Sequence, residues 1–430
     1  MPEAQTTTCA ISGGGPAGMM LGLLLSRAGV RTTVLEKHGD FLRDFRGDTV
    51  HPSTLRLMDE LGLIDELEGV PHRKLTTLRI GTRTRPLVDA DLSRFTRWRH
   101  RHIAMIPQWD FLTLLAERAQ RYPTFRLLME AEVLGPVEED GAVRGLRYRD
   151  ASGEHELRAV LTVAADGRRS DLCRAAGMVP TELGAPMDVL WLRVSRRADD
   201  GSGLGGYIGR GEMAATIDRG DYWQIAFLIP KGSYEDVRVR GLQSLRDRLA
   251  GLVPFLGDRV REIDDWDKVA FLEVGLDRLS RWDRPGLLAI GDAAHTMSPI
   301  GGVGINLAVQ DAVATANLLA EPLYCAQADP ARFDRTFNPG LVRRVQRRRA
   351  VPTIGTQAVQ RIIQRRIIDQ ALGNAEPRLP AILETARGRR LLSQVMARIM
   401  VYGLLPEHVR TPERRAETAM PVEEAARTWI

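Results

Sequence analysis

The sequence predicts an α/β fold: a three-layer domain on a mostly parallel sheet, a second sheet inserted into it, and a helical C-terminal extension. Three observations carry this. An apolar strand runs into a glycine-rich turn and a helix within residues 7–28, and the same order recurs within 287–319. Between the two lies a long run of strands separated by Gly and Asp turns.

In the first unit, residues 7–12 (TTCAIS) form a short run with β-branched residues that leads into Gly13-x-Gly15-x-x-Gly18. Met19, Met20, Leu23, Leu24 and Leu25 follow at helical spacing, and Gly29 stands where the helix should stop. The next strand, 32–35, ends in Glu36. Each part has a job in dinucleotide binding, which makes this domain Rossmann-like. The glycines allow a tight turn and let a pyrophosphate approach the N–H groups of a helix start, while the carboxylate accepts hydrogen bonds from a ribose. Glu36 also disfavours a 2′-phosphate in this cleft, by charge.

Length and composition set the outer bounds. A chain of 430 residues exceeds what one hydrophobic core usually fills, so two domains and a helical extension are expected. A net charge of +5, from 60 basic and 55 acidic residues, is spread along the chain and gives no reason to expect nucleic acid. Cys9, Cys173 and Cys325 lie far apart without a CxxC pair, and no HExxH occurs. That pattern fits a reducing compartment and predicts neither a disulfide framework nor a metal site. The first eight residues show no secretion signal, and no apolar run reaches the roughly 20 residues needed to cross a bilayer. A cytoplasmic protein without stable membrane insertion is therefore expected.

Further along, Arg46 and Asp48 sit in a Gly-containing loop before a helix from about Pro52, which carries Leu55, Met58 and Leu61 on one face. The segments TTLRIG, HIAMIP, VRGLRYRD and DYWQIAFLIP read as strands, and a helix opens at Gln108. The strand within 161–165 stops at Asp166-Gly167, and Ser170 caps the helix that follows. These patterns assign 1–72, 107–184 and 276–340 to the first domain, 73–106 and 185–275 to the inserted sheet, and 341–430 to the helical extension.

The second glycine-rich unit resembles the first in outline. A core-type strand at 287–290 breaks at Gly291-Asp292, and a loop almost free of bulky side chains ends at Gly301-Gly302-Val303-Gly304 before a helix. An anionic or electron-rich group at that helix start would meet free N–H donors and the positive end of the dipole. Two such cradles in one chain suit the two ends of one long ligand.

Taken together, Gly13-x-Gly15-x-x-Gly18 with Glu36, Asp166-Gly167, and Gly291-Asp292 through Asn306 resemble the three fingerprints of the single-component FAD-dependent aromatic hydroxylases, the para-hydroxybenzoate hydroxylase fold. The resemblance covers roughly residues 5–360. It implies that Gly13, Gly15 and Gly18 approach the FAD pyrophosphate, Glu36 holds the adenosine ribose, Arg46 and Gln108 contact the central part of FAD, and Asp292 bonds the ribityl or phosphate region. Pro16, Ala17, Lys37, Asp166, Gly167 and Gly291 belong to the same cofactor-binding set. Gly302, Val303, Gly304, Ile305 and Asn306 would lie along the isoalloxazine edge. Pro299, with Arg46, would stand where ring and substrate meet.

The activity it implies is a monooxygenase in which NADH or NADPH reduces FAD, O2 forms a flavin hydroperoxide, and oxygen passes to an electron-rich aromatic or polyketide-like small molecule. Two departures stand out: Cys173 replaces the Arg that usually follows the Asp-Gly motif, with Arg174 next to it, and Val303 replaces a common Gln. Trp191, Tyr207, Met213, Trp223, Phe227 and Phe271 are candidates to line the substrate pocket.

Three other readings share parts of this pattern. A halogenase would need Trp at 225 and 227, where the chain has Ile225 and Phe227. An FAD-dependent reductase shares the cradle and stays open. A non-catalytic dinucleotide sensor draws on the Arg-rich stretch 342–370, whose Val345, Ile362 and Ile363 instead suggest a helix packed on the first domain with its arginines in solvent. The helices beyond offer surface for a homodimer.

Overall fold

The computed structural model describes residues 5–42, 49–82, 86–209, 211–328, 339–368 and 385–414. The main sheet has the order β19–β20–β11–β1–β2–β8, from Asp283–Arg284 (β19), Leu287–Ala289 (β20), Gly153–Ala164 (β11), Gln5–Ser12 (β1), Thr32–Leu35 (β2) and Phe125–Leu128 (β8). The four strands from β20 to β2, with β8, run parallel, and a hairpin of Glu132–Glu139 (β9) and Ala142–Asp150 (β10) extends antiparallel from β11. Parallel strands covered on both faces read as continuous apolar runs, and β1 is buried from Thr7 to Ser12.

Helices α1 (Pro16–Arg27), α2 (Pro52–Glu60), α3 (Ile64–Gly69), α4 (Gln108–Ala119) and α5 (Asp171–Ala175) precede α6 (Tyr234–Leu252) of the second sheet. They are followed by α7 (Gly304–Ala326), α8 (Pro339–Ile363) and α9 (Ala386–Ala397). α7 is long and apolar enough in composition to cross a membrane, but it is largely buried inside the first domain, where Val309, Ala312, Val313 and Ala316 join the same core as Leu21 and Leu24 of α1.

The second sheet runs β17–β13–β16–β15–β14–β5–β6, from Ala270–Leu272 (β17), Met187–Ser195 (β13), Tyr222–Pro230 (β16), Met213–Asp218 (β15), Leu204–Ile208 (β14), Thr77–Thr82 (β5) and Pro86–Asp91 (β6). Two small ladders complete the fold. Thr49–Val50 (β3) and Arg73–Leu75 (β4) flank Ile103–Met105 (β7), and Pro180–Glu182 (β12) pairs with Asp277–Leu279 (β18).

Side chains alternate across a strand, so the second sheet has two different faces. Leu190, Leu192, Ile225 and Phe227 pack with Leu245 and Leu249 of α6. Val189, Trp191, Ala226 and Leu228 face a cavity on the opposite side.

α8 packs on α7 through Val342 and Val345. Its arginines are not all in solvent, which corrects the sequence expectation. Arg349 is 1% exposed and donates from Nε to Asp311 Oδ1 of α7 at 2.9 Å. Arg348 forks onto Glu407 at 2.7–2.9 Å, so the segment after α9 is tied to the same place.

Candidate cofactor and substrate site

Four sequence motifs meet because four neighbouring strands end side by side. Ser12 of β1 pairs with both Ala164 of β11 and Leu35 of β2, and Ala164 pairs with Ala289 of β20. Gly13, Asp166, Glu36 and Gly291 each follow one of these carboxyl ends, the edge where open α/β sheets bind ligands. A cavity of about 930 Å³ runs from this edge to the second sheet.

The three glycines of the first cradle divide their work. Gly13 has φ +104°, and a Cβ there would lie 2.4 Å from the Ala165 carbonyl oxygen; at Gly18 it would lie 1.9 Å from the Gly13 oxygen. Those two glycines are needed for the chain to pass itself. At Gly15 a Cβ would meet nothing within 4 Å, so that glycine keeps space open at the start of α1. α1 and α7 both begin with no side-chain cap and no acidic residue in the first turn, which leaves their first N–H groups for an outside anion.

Glu36 Oε2 accepts from the Gly14 N–H at 2.9 Å, and Oε1 from the His38 N–H at 3.1 Å, fixing the carboxylate at the cavity wall. Lys37 and Gln108 also line the cavity, as do Pro16 and Ala17. Asp292 lines it with Arg168, whose Nε lies 3.3 Å from Asp292 Oδ2. Asp166 and Gly167 line it as well, although the Asp166 carboxylate is engaged by Ser170 Oγ at 2.6 Å and the Leu172 N–H at 3.2 Å. Burial pushes the Asp166 carboxyl up, against those two hydrogen bonds. Pro299, Gly302, Val303, Gly304 and Ile305 line the far end of this half. The uncapped helix starts, the gap at Gly15 and the fixed acid at β2 together fit an extended dinucleotide cofactor.

Several predicted contacts lie elsewhere. Arg46 falls outside the described residues. Gly18 and Gly291 do not line the cavity; Gly291 packs on Ala17 and Ala308 and donates its N–H to Asp311 at 3.1 Å. Asn306 turns away from it. Its Oδ1 accepts from the His51 N–H and Thr54 Oγ, each at 2.8 Å, and its amide donates to the Thr49 and Gly302 carbonyls at 3.0 and 3.1 Å. Asn306 therefore clamps α2 to the glycine loop. Cys173 is buried with its sulfur 3.9 Å from the Ala293 oxygen, while Arg174 points to solvent beside Asp171. His295 is a structural residue: it is 1% exposed, with Nε2 2.6 Å from Asp311 Oδ2.

The pocket aromatics divide by strand parity. Trp191 and Met213 line the cavity. Trp223 and Phe227 lie on the opposite face of β16 and, with Tyr207, pack in the layer under α6, while Phe271 is 37% exposed and stacks on Tyr234. Sequence reading missed Gln224, a lone polar residue within the apolar run of β16, and the wall built by the C-terminal helices through Ile363, Met396 and Met400. It also missed Arg168, next to the Asp-Gly motif. Away from the cavity, where no metal set was expected, Glu68, His72 and His102 converge, with the Lys74 ammonium paired to Glu68.

His51 occupies the N-cap position of α2 without a side-chain capping bond and is 1% exposed. Burial pushes its pKa down to about 4, against the nearby carbonyls of Val401, Gly301 and Met400. The unfolded chain takes up this proton near 6.5 and the native protein only near 4, so stability falls as pH drops through that window. At pH 5 the loss from this group is about 2 kcal/mol. Thermal melts at pH 7 and pH 5 should show it, and His51→Asn, which places a good N-cap residue with no titrating group there, should flatten the dependence.

Fold and site together define a protein that holds an extended dinucleotide cofactor beside a large apolar chamber. The FAD binding domain family matches residues 5–337. The 6-methylpretetramide 4-monooxygenase of Streptomyces rimosus is 34% identical over 322 residues, covering 74% of this chain and 76% of that protein. The 3-(3-hydroxy-phenyl)propionate/3-hydroxycinnamic acid hydroxylase of Escherichia coli (strain K12) is 28% identical over 70% of this chain, which spans only 54% of that longer protein. Among solved structures, p-nitrophenol 4-monooxygenase from Pseudomonas putida superposes with a TM-score of 0.69 at 19% identity, covering 93% of this chain and 99% of that one. The chain belongs to the FAD-binding family of para-hydroxybenzoate hydroxylase-like aromatic hydroxylases, and it is an FAD-dependent monooxygenase.

Proposed function

We propose that this monooxygenase uses NADPH or NADH and O2 to hydroxylate a fused-ring phenol of the aromatic polyketide type. The observation that carries the substrate class is the chemistry of the cavity. Its ionisable lining groups, among the described residues, all lie on the cofactor half, at Glu36, Lys37, His38, Glu132, Asp166, Arg168, Asp171 and Asp292. The half formed by the second sheet and the C-terminal helices has none among the described residues. A substrate carboxylate would find no counter-charge there and would lose its hydration, which disfavours benzoate-type or propionate-type substrates. A broad apolar aromatic would gain from burial against Leu228, Met213 and Met400. Its 34% identical relative, a 6-methylpretetramide 4-monooxygenase, points the same way.

Bound FAD supplies the electron transfer and oxygen activation that no side chain here can provide. The protein's own part is binding and electrostatics. Gly15 and the start of α1 receive the pyrophosphate, Glu36 with Lys37 the adenosine ribose, and Gln108 and Asp292 the central portion. The uncapped start of α7, at Gly302 to Ile305, sets N–H groups and a positive dipole end toward negative charge on the ring edge. Pro299 borders the place where ring and substrate meet. The apolar wall excludes water from it. With no base among the described residues on that side, the substrate must bring its own electron-donating hydroxyls. The three cysteines, all free thiols, suit a reducing cytoplasm.

The test is to supply heavy-isotope dioxygen with NADPH or NADH and to analyse 1-naphthol, emodin and 3-hydroxybenzoate by mass spectrometry. Label in a fused-ring product is expected. Label in the hydroxybenzoate alone would contradict the proposed substrate class.

A further inference from the structure

The sheet side of the cavity is apolar except at one end. Gln224 of β16 lines the cavity, is 3% exposed, and makes no side-chain hydrogen bond among the described residues. The amide is not sealed in the core: it borders the cavity, so its two donors and its acceptor have no protein partner among the described residues and are open to a ligand. Directly across from it stand Ile217 on β15 and Arg193 on β13, whose guanidinium turns away to Asp221 and the Tyr222 ring. Ala226 and Leu228 continue the same face of β16, Trp191 lies diagonally across on β13, and the Trp191 indole N–H is itself without a partner among the described residues.

The position of Gln224 along the strand matters as much as its chemistry. Leu228 and Met187, at the other end of this floor, cluster with Ile300 of the loop that follows Pro299. Gln224 lies four residues along from Leu228, roughly 13 Å at ~3.4 Å per residue. A single ring held near Pro299 would not reach it, whereas a molecule of three or four fused rings would.

We propose that Gln224 is a specificity residue that reads the distal polar edge of an extended substrate. Its amide offers a donor to a carbonyl or phenolate oxygen and an acceptor to a hydroxyl on the ring farthest from the oxidised carbon. Trp191 supplies the flat wall beside that edge. This rests on the fused-ring reading above and deepens it. The carbon to be oxidised lies at the flavin end, so the enzyme selects by the length of the molecule and by the group at its far end.

The experiment is calorimetric titration of the FAD-loaded enzyme and of Gln224→Leu and Gln224→Glu with emodin, a tricyclic carbonyl-bearing phenol, and with phenol itself. Wild type should bind emodin, and Gln224→Leu should raise its Kd about tenfold, the scale of one buried hydrogen bond. Phenol, too short to span the floor, should bind wild type and variant alike. Gln224→Glu, which keeps the shape but sets an acceptor against the carbonyl, should weaken emodin similarly, and it decides the matter if Gln224→Leu fails to load FAD. An emodin Kd within twofold of wild type in the deciding variant would overturn the role of Gln224 and leave the fused-ring reading intact. Failure of wild type to bind emodin at all would overturn both.

Discussion

Gly15→Val is expected to give a folded protein that has lost its FAD. The residue has φ −74° and ψ −176°, an extended conformation open to any L-residue, and a Cβ there meets no protein atom within 4 Å. Little in the polypeptide therefore resists the change. The added isopropyl group fills the space in front of the uncapped N–H groups of α1, where a pyrophosphate must approach closely. The expected outcome is unchanged far-ultraviolet circular dichroism with an FAD-to-protein ratio reduced at least tenfold. Gly18→Val serves as the contrast. Its side chain would run into the Gly13 carbonyl oxygen, so folding itself should fail. If Gly15→Val stays fully loaded with FAD, the first cradle is not where the pyrophosphate lies.

Asp311→Ala should have the largest effect on stability. Asp311 is fully buried on α7 and holds three partners: His295 Nε2 at 2.6 Å, Arg349 Nε at 2.9 Å and the Gly291 N–H at 3.1 Å. Burial alone would push its carboxyl up, but the charges of and hydrogen bonds from His295 and Arg349 outweigh this and hold it below the usual carboxylate range. A carboxyl lowered in the native state adds stability above its unfolded value and loses it as pH falls through the folded one. Removing the carboxylate leaves the Arg349 guanidinium buried, with Glu407 as a more distant partner at 3.6 Å. Breaking a buried pair in this way costs about 3–5 kcal/mol, which for a chain of this length lowers Tm by ~3–5 °C. Asp311→Leu combined with Arg349→Met, which removes both charges, should recover much of the loss. The network joins the second cradle, α7, α8 and the segment at Glu407, so FAD affinity should fall along with Tm in the single variant.

Much of the cofactor half was legible in the sequence because its requirements are local. A strand, a turn that needs glycine, a helix start and an acid on the next strand lie within residues 5–36, though spacing does not separate Gly13 and Gly18, where a Cβ would clash with backbone, from Gly15, which keeps space open. Asp166-Gly167 and Gly291-Asp292 were legible as strand ends, and the parallel register brings those ends together. What lies within the motif was less clear. Asn306 carries the right position but spends its side chain on His51, Thr54 and Thr49, contacts more than 250 residues away in the chain. The substrate half depended on strand parity. In DYWQIAFLIP the bulky Trp223 and Phe227 attract attention, yet they lie on the α6 face, and the smaller even-numbered residues with Gln224 form the floor. Nothing local distinguishes the two faces when both are buried. Arg349 was misread for a related reason: an arginine in a basic helix looks solvated until its partner, Asp311 on another helix, is known.

If one cavity holds FAD and an electron-rich fused-ring substrate together, each must affect the other. The most direct measurement is the rate at which NADPH or NADH bleaches the visible flavin band under anaerobic conditions, with and without emodin or 1-naphthol. The expected result is a yellow protein, slow bleaching by the nucleotide alone, and faster bleaching when a fused-ring phenol is present. A yellow protein whose bleaching is indifferent to fused-ring phenols and accelerated instead by 3-hydroxybenzoate would contradict it.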